Sequence, residues 1–431
     1  MPTSLRGIAY RAKQDKKARF QDLYRLLNED NLRLCFRELR RNAAAGVDRV
    51  TFEEYAREVE KNLADVVKRL KEKRYRAKLV RRKYIPKANG KMRPLGIPAL
   101  EDKILQRACA NILSAIYEED FVDSSWGYRP DRSAREASRV LETELYRGKY
   151  HWVVEADIRG FFDNIDHKWM LKMLEQRVDD RAFLRLIGKW LKAGIMEEDG
   201  RVLHPVTGTP QGGIVSPVLA NVYLHYALDL WFEKVVAPKC RGARYIIRYA
   251  DDFVCAFQYE DDARRLESEL APRLAKFGLE IAKEKTQTLR FSRFGGQENG
   301  AFCFLGYEYR WVERRSGKPG VQRRTAPRKK QASVANFTEW IKRNRHKPLR
   351  KIMTTLCSKL QGYWNYYGVR GNMESLREVY HEFKKLLYKW LNRRSQKRSY
   401  NWQGFLDMLK HYAIPLPHIV ETGPSPQLQL F

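Results

Sequence analysis

Paired cysteines, long apolar runs and a fixed repeat are all missing from this chain of 431 residues. Its six cysteines, Cys35, Cys109, Cys240, Cys255, Cys303 and Cys357, form no C-x-x-C pair and have no histidine at metal-ligand spacing, which argues against zinc and predicts reduced core thiols. No run of about 18 apolar residues occurs, so no membrane-spanning helix is expected. The first residues, "MPTSLRGIAYRAKQDKK", lack the apolar stretch of a secretory signal, and the lack of a recurring period excludes a solenoid. Acidic residues are also scarce, 52 Asp+Glu against 83 Lys+Arg, and the resulting net charge of +31 far exceeds what solubility requires. That excess predicts a polyanionic partner, nucleic acid first, in a cytosolic setting. No basic amphipathic segment stands alone as a membrane anchor.

What is present describes a globular protein of two or three domains, with 43% hydrophobic and 12% aromatic residues to build a core. Caps and periodicity predict a helix over "SPVLANVYLHYALDL", with Ser216 as N-cap, Pro217 first in the helix and Leu219, Val222, Tyr223, Tyr226 and Leu230 on one face. Another starts after Asp166 in "DHKWMLKMLEQRV". A third, "DDARRLESELAPRLAKFG", aligns Leu266, Leu270 and Leu274, with a bend or break at Pro272 and an end at Gly278. Strands are expected over 151–158, 243–250, 253–257 and 301–309. Residues 313–330, "ERRSGKPGVQRRTAPRKK", are basic and rich in Gly and Pro, and read as a linker or nucleic-acid-contacting loop.

The strands bracket acidic residues. In "IIRYADDFVCAF" the adjacent Asp251 and Asp252 fall where a hairpin would turn, so both carboxylates emerge near one end of a sheet. Like charges this close need a cation or a proton between them. Mg²⁺ suits them, being a hard ion held by one or two carboxylates plus substrate phosphates. Asp157 ends the run "WVVEADI", and a parallel or antiparallel neighbour of the hairpin would bring it alongside. Three acids at strand ends are compatible with two ions and in-line displacement at a phosphate.

The order of these motifs closely resembles the reverse transcriptases encoded by group II introns, which combine a reverse transcriptase with a maturase. "EADIRGFFDNIDH", "GTPQGGIVSPVLANVYL" and "YADD" carry the resemblance, and "NAAAGVDRVTFEEY", "YIPKANGKMRPLGIPALEDKILQRA", "SSWGYRPDRSAREA", "GLEIAKEKT", "FLGYEY" and "LQGYWNYYG" extend it over roughly residues 20–412. Tyr128 stands where the family usually has Phe. The resemblance implies an α+β, right-hand polymerase: an N-terminal extension (1–60), fingers and palm (61–312), the basic linker or loop (313–330), a helical thumb/maturase domain (331–412) and a tail (413–431). It implies two Mg²⁺ on Asp157, Asp251, Asp252 and the backbone carbonyl of Ile158. Phe162 is then the steric gate that excludes a ribose 2′-hydroxyl and favours dNTPs. Lys87 and Arg93 grip the triphosphate, Gln211 with Gly212 and Gly213 lines the nucleotide and template pocket, Lys285 meets the leaving pyrophosphate, and Leu305, Gly306 and Tyr307 form the primer grip.

Beyond residue 371 the pattern predicts one long helix over 372–402, burying Leu376, Val379, Tyr380, Phe383, Leu387 and Trp390. Its other face, Arg377, Lys384, Lys385, Lys389, Arg393 and Arg394, is expected to bind intron RNA, with Tyr363, Trp364, Tyr366, Tyr367 and Trp402 offered for stacking, some of them in the core. The DNA-binding segment and His-Asn-His endonuclease of many relatives are not found, which implies a primer taken from a replication fork. The terminal Gln427, Leu428, Gln429, Leu430 and Phe431 resemble the pentapeptide with which bacterial proteins dock on the β sliding clamp. The expected partners are group II intron RNA, target DNA, dNTPs and that clamp, with no membrane, in the cytoplasm near the bacterial nucleoid. The expected function is RNA-directed DNA synthesis, splicing assistance and target-primed retrohoming. A stand-alone reverse transcriptase in phage defence or DNA repair would keep the same residues. A non-catalytic splicing factor is disfavoured by the intact aspartates, and an RNA-dependent RNA polymerase by Phe162.

Overall fold

A computed structural model describes residues 3–86, 92–209, 212–314, 316–396 and 399–421. At the N-terminal end, helices Thr3–Gln14, Glu29–Arg37, Phe52–Arg57 and Val59–Lys71 gather with the long helix Leu100–Tyr117. Fourteen of that helix's 18 residues are buried, the polar Asp102, Lys103 and Gln106 among them. Beside it lies a four-stranded sheet in the order Met92–Ile97, Val80–Pro86, Ile195–Met196, Val202–Leu203.

The second sheet organises the molecule. Its order is Arg244–Tyr249, Asp252–Phe257, Trp152–Arg159, with Glu280–Ile281 and Gln287–Arg290 sharing the far edge of the central strand. Both faces are covered. Val154, Ala156, Phe253, Cys255 and Phe257 face the main core, while Val153, Val254 and Ala256 face a second core shared with helix Ala134–Arg147 and with Phe302, Phe304, Tyr307 and Tyr309. This two-sided burial explains why "FVCAF" is apolar without alternation.

Several expectations change in detail. Residues 301–309 are not one strand: Phe302–Phe304 and Tyr307–Glu313 form a hairpin turning at Leu305 and Gly306, both with positive φ. The stretch expected as a linker supplies the third strand of that sheet, Pro319–Thr325, and the start of helix Pro327–Asn344. Composition misleads there because Arg323 is buried, its guanidinium held by Glu142 and Glu421. Helix Ser216–Leu224 takes Val215 rather than Ser216 as its N-cap and passes into π-helical turns at His225–Asp229 and Phe232–Val236. Helix Glu260–Ala275 runs through Pro272 without breaking. Asp166 caps helix His167–Leu174, its carboxylate accepting from Trp169 N. Cys35, Cys109 and Cys255 are buried free thiols, but Cys303 is exposed.

The C-terminal helices Pro327–Asn344, Leu349–Tyr367, Met373–Leu391 and Trp402–His411 enclose their own core, in which Leu376, Val379, Phe383 and Leu387 are buried. The helix expected to reach 402 stops at Leu391. The segment after Trp402–His411 returns to the rest of the molecule, where Glu421 meets Arg323 and Val420 N donates to Gly368 O at 2.8 Å.

Candidate active site

The central strand Trp152–Arg159 runs antiparallel to Asp252–Phe257, in a register that sets Asp157 opposite Asp252. Asp252–Phe257 pairs in turn with Arg244–Tyr249, and the Tyr249–Asp252 pair leaves a two-residue loop, Ala250 and Asp251. So tight a loop needs positive φ at its first residue, and Ala250 has φ 58°. The neighbouring backbone is moulded to this turn. A Cβ on Gly127 would lie 2.4 Å from Ala250 N, so only glycine lets that segment approach.

Asp157, Asp251 and Asp252 are all half-buried at this end of the sheet. Burial, then the charges of Asp157, Asp251 and Glu155, push Asp252 up to about 7, against the backbone N–H of Leu305, which donates to it. Burial raises Asp251 as well, with Arg93 and Lys285 acting in the opposite direction. The Lys285 ammonium bonds the Asp157 carboxylate and is itself raised by that contact. Among the described residues no three carboxylate, imidazole or thiol groups already close on one point. The donor set still fits a hard divalent cation, because Asp157, Asp251 and Asp252 share one end of the sheet and both turn acids feel the charge of Asp157. Ile158 pairs with Ile281 across the sheet edge.

Around the acids stand the other expected residues. Phe161 is buried and Phe162 half-buried, its ring edge-on to Phe161 at 5.4 Å and to Tyr128 at 6.4 Å between centroids. Tyr128, the departure from the family's Phe, is 48% exposed. Arg93 is exposed on strand Met92–Ile97 and its charge reaches both Asp251 and Tyr128. Gly212, at φ 114°, lies so close to Gly96 that a Cβ would meet its carbonyl oxygen at 2.5 Å. Ile214 N donates to Gln106 Oε1 at 2.8 Å and anchors the same loop. Lys87, Gln211 and the terminal Gln427, Leu428, Gln429, Leu430 and Phe431 lie outside the described residues. Leu305 sits directly beside Asp252, and the hydroxyl of Tyr366 donates to its carbonyl at 2.8 Å.

Sequence reasoning missed the residues behind the turn. Arg248 is fully buried against Asp229, Asn221, Ser125 and the Ala250 carbonyl. The signal was a lone arginine inside the apolar strand "YIIRY".

The basic C-terminal face is only partly as expected. Arg377 is exposed. Lys384 lies over Tyr380, Lys385 pairs with Glu382, and Arg394 is consumed in bonding the carbonyls of Arg345 and Lys347. Lys389 and Arg393 instead join Lys342 and Arg345 around one ring, Trp390, all four at 5.3–5.9 Å from its centroid. Lys342 lies in helix Pro327–Asn344 and Arg345 caps its end; neither was expected. Trp364 is buried, and Tyr366 and Tyr367 pack against Tyr307, so among the expected stacking residues Trp402, 45% exposed, is the one presented outward.

The sheet with its three acids falls inside residues 85–309, which match the family model described as Reverse transcriptase (RNA-dependent DNA polymerase). The chain is 30% identical over 442 residues to the Group II intron-encoded protein LtrA of Lactococcus lactis subsp. cremoris, covering 83% of this chain and 72% of the relative. It is 40% identical over 170 residues to Protein YkfC of Escherichia coli (strain K12), covering 38% and 44% of the two chains. Over 254 residues it is 23% identical to Nuclear intron maturase 1, mitochondrial, of Arabidopsis thaliana, covering 46% and 33%. The fold class is therefore that of a reverse transcriptase, and the chain belongs to the group II intron-encoded reverse transcriptase and maturase family. Among the described residues no helix is long and apolar enough to cross a membrane.

Proposed function

We propose that the protein copies group II intron RNA into DNA at a target site by target-primed reverse transcription, and that it binds the same RNA to assist its splicing. The observation that carries the polymerase reading is the strand register that sets Asp157 opposite Asp252 with Asp251 in the adjoining turn. In this reading the two larger sheets act as fingers and palm and the C-terminal helices as thumb. Two Mg²⁺ ions, when bound by the three aspartates, supply activation of the primer 3′-hydroxyl and charge neutralisation at the α-phosphate.

The chain's own residues do the rest. Arg93 offers a planar fork to the triphosphate. Phe162, wedged by Phe161 and Tyr128, occupies the space a 2′-hydroxyl would need. Lys285 exchanges Asp157 for the departing pyrophosphate. Leu305 holds the turn beside Asp252 where the primer end would lie. The cations around Trp390 give RNA phosphates a concentrated docking point.

Primer extension on a primed RNA template with Mg²⁺ and dNTPs tests the reading. Incorporation is expected, Asp251→Ala should abolish it while leaving RNA binding intact, and equal use of rNTPs would count against it. The terminal pentapeptide adds a separate proposal: deleting residues 427–431 should end capture of the β sliding clamp without changing extension.

A further inference from the structure

Arg248 lies in the strand leading to the Asp251–Asp252 turn, and its side chain is 1% exposed, facing Asp229 at 2%. A buried ion pair is a poor source of stability, since desolvating two charges offsets most of their attraction. Its arrangement here is geometric. All five N–H donors of the guanidinium are used: Nε and Nη2 on the two Asp229 oxygens at 2.7 and 2.6 Å, Nη2 also on Ser125 Oγ at 2.7 Å, and Nη1 on Asn221 Oδ1 at 3.1 Å and on the Ala250 carbonyl at 3.0 Å.

These bonds close a ring around one turn. Asn221 Nδ2 passes the connection on to the Gly127 carbonyl at 2.7 Å, and Gly127 lies against the Ala250 amide. Ser125 bridges Arg248 in parallel, and Trp126 N donates to the Arg248 carbonyl at 2.8 Å. Asp229 reaches the guanidinium from the last residue of a π-helical turn, His225–Asp229, a widened coil of the kind often found at functional sites. Ala250, the residue held by Arg248, has the positive φ and directly precedes Asp251.

We infer that Arg248 is a positioning residue, oriented by Asp229, that fixes the direction in which Asp251 leaves the turn. The inference rests on the reading of Asp251 as a ligand of a divalent cation. A planar fork is essential to it, because a lysine could reach Asp229 but not Asp229, Asn221, Ser125 and the Ala250 carbonyl together.

The test compares the full-length protein with the Arg248→Met/Asp229→Leu double variant, which replaces the ion pair by apolar side chains, and with Arg248→Lys. Mn²⁺ binding is measured by electron paramagnetic resonance on the complex with an RNA template, a dideoxy-terminated primer and the matching dNTP. Mn²⁺ binding about 10- to 100-fold weaker is expected, the range found when a group supporting a metal ligand is removed. The thermal midpoint of the double variant and its affinity for RNA should stay near wild type. Should the double variant fail to fold, Arg248→Lys is expected to show the same weakening. Wild-type Mn²⁺ affinity in a folded variant overturns the inference. Asp251→Asn separates the two claims: if it binds Mn²⁺ like wild type, the reading of the site fails and the inference with it. If it loses Mn²⁺ while the Arg248 variants do not, the site stands and the positioning role falls.

Discussion

Asp157 and Asp252 face each other across two hydrogen-bonded strands, and that register is what makes their carboxylates one site. Side chains alternate along a strand, so a slip of one residue would send one carboxylate to the opposite face. The apolar residues on both faces prevent the slip: Val154 and Ala156 belong to one core, Val153 to the other.

Phe162 is expected to set the choice of sugar. Its ring is held edge-on by Phe161 and Tyr128, so truncation should open the space without disturbing the acids. Phe162→Ala should raise the efficiency of rNTP use relative to dNTP by roughly 10- to 100-fold, the scale of steric discrimination in a pocket. Steady-state incorporation of matched dNTP and rNTP checks this.

Gly127→Ala places a methyl 2.4 Å from Ala250 N, and the Asp251 turn must move to admit it. Misplacement of reacting groups by about 1 Å can cost on the order of 100-fold in rate. A turnover loss of about that size in primer extension is expected, with RNA binding unchanged.

Arg323 joins three parts of the chain, holding Glu142 of helix Ala134–Arg147 at 2.7 Å and Glu421 of the C-terminal segment at 2.8 Å. Arg323→Met would remove the guanidinium that both carboxylates bond. Breaking a buried pair from one side costs about 3–5 kcal/mol, and denaturant unfolding should show a loss of that order. Glu421→Gln, which keeps a polar partner, should lose less.

His225 is buried beside Phe121 and Tyr226, and burial, with Arg248, Lys234 and Arg129 adding to it, lowers its pKa to about 4. An unfolded histidine titrates near ~6.5, so on acidification protons bind the unfolded chain first. The neutral ring therefore supports the fold fully above about pH 6.5, and that support is lost as the pH falls toward 4. Thermal melts across this range should show a shallower decline for His225→Leu than for wild type; equal slopes would contradict the assignment.

The acids were legible because their chemistry is local: two adjacent carboxylates between apolar runs announce a turn, and their like charges are the ground for the proposed cation. The support around them was not, because it is assembled from distant segments. Nothing near Gly127 in sequence reveals the Ala250 amide it touches, and Arg248 looks like an ordinary charge until Asp229 arrives from a π-helical turn. Residues 313–330 misled for the same reason. Their alternation of Val321, Arg323 and Thr325 inward was readable, but counting charges as solvated hid a strand. In the C-terminal helices the apolar stripe was plain, whereas the cations that gather on Trp390 depend on a neighbouring helix.

The central strand carries a further consequence, for synthesis rather than catalysis. Trp152–Arg159 has no neighbour until Asp252–Phe257 emerges, and its other edge stays open until Glu280–Ile281 and Gln287–Arg290 follow. At ordinary elongation rates of about 5–20 residues per second, the nascent chain carries an unpaired apolar strand for on the order of ten seconds. The strand on which the site is built is thus also where a stalled or shortened chain is most exposed to aggregation.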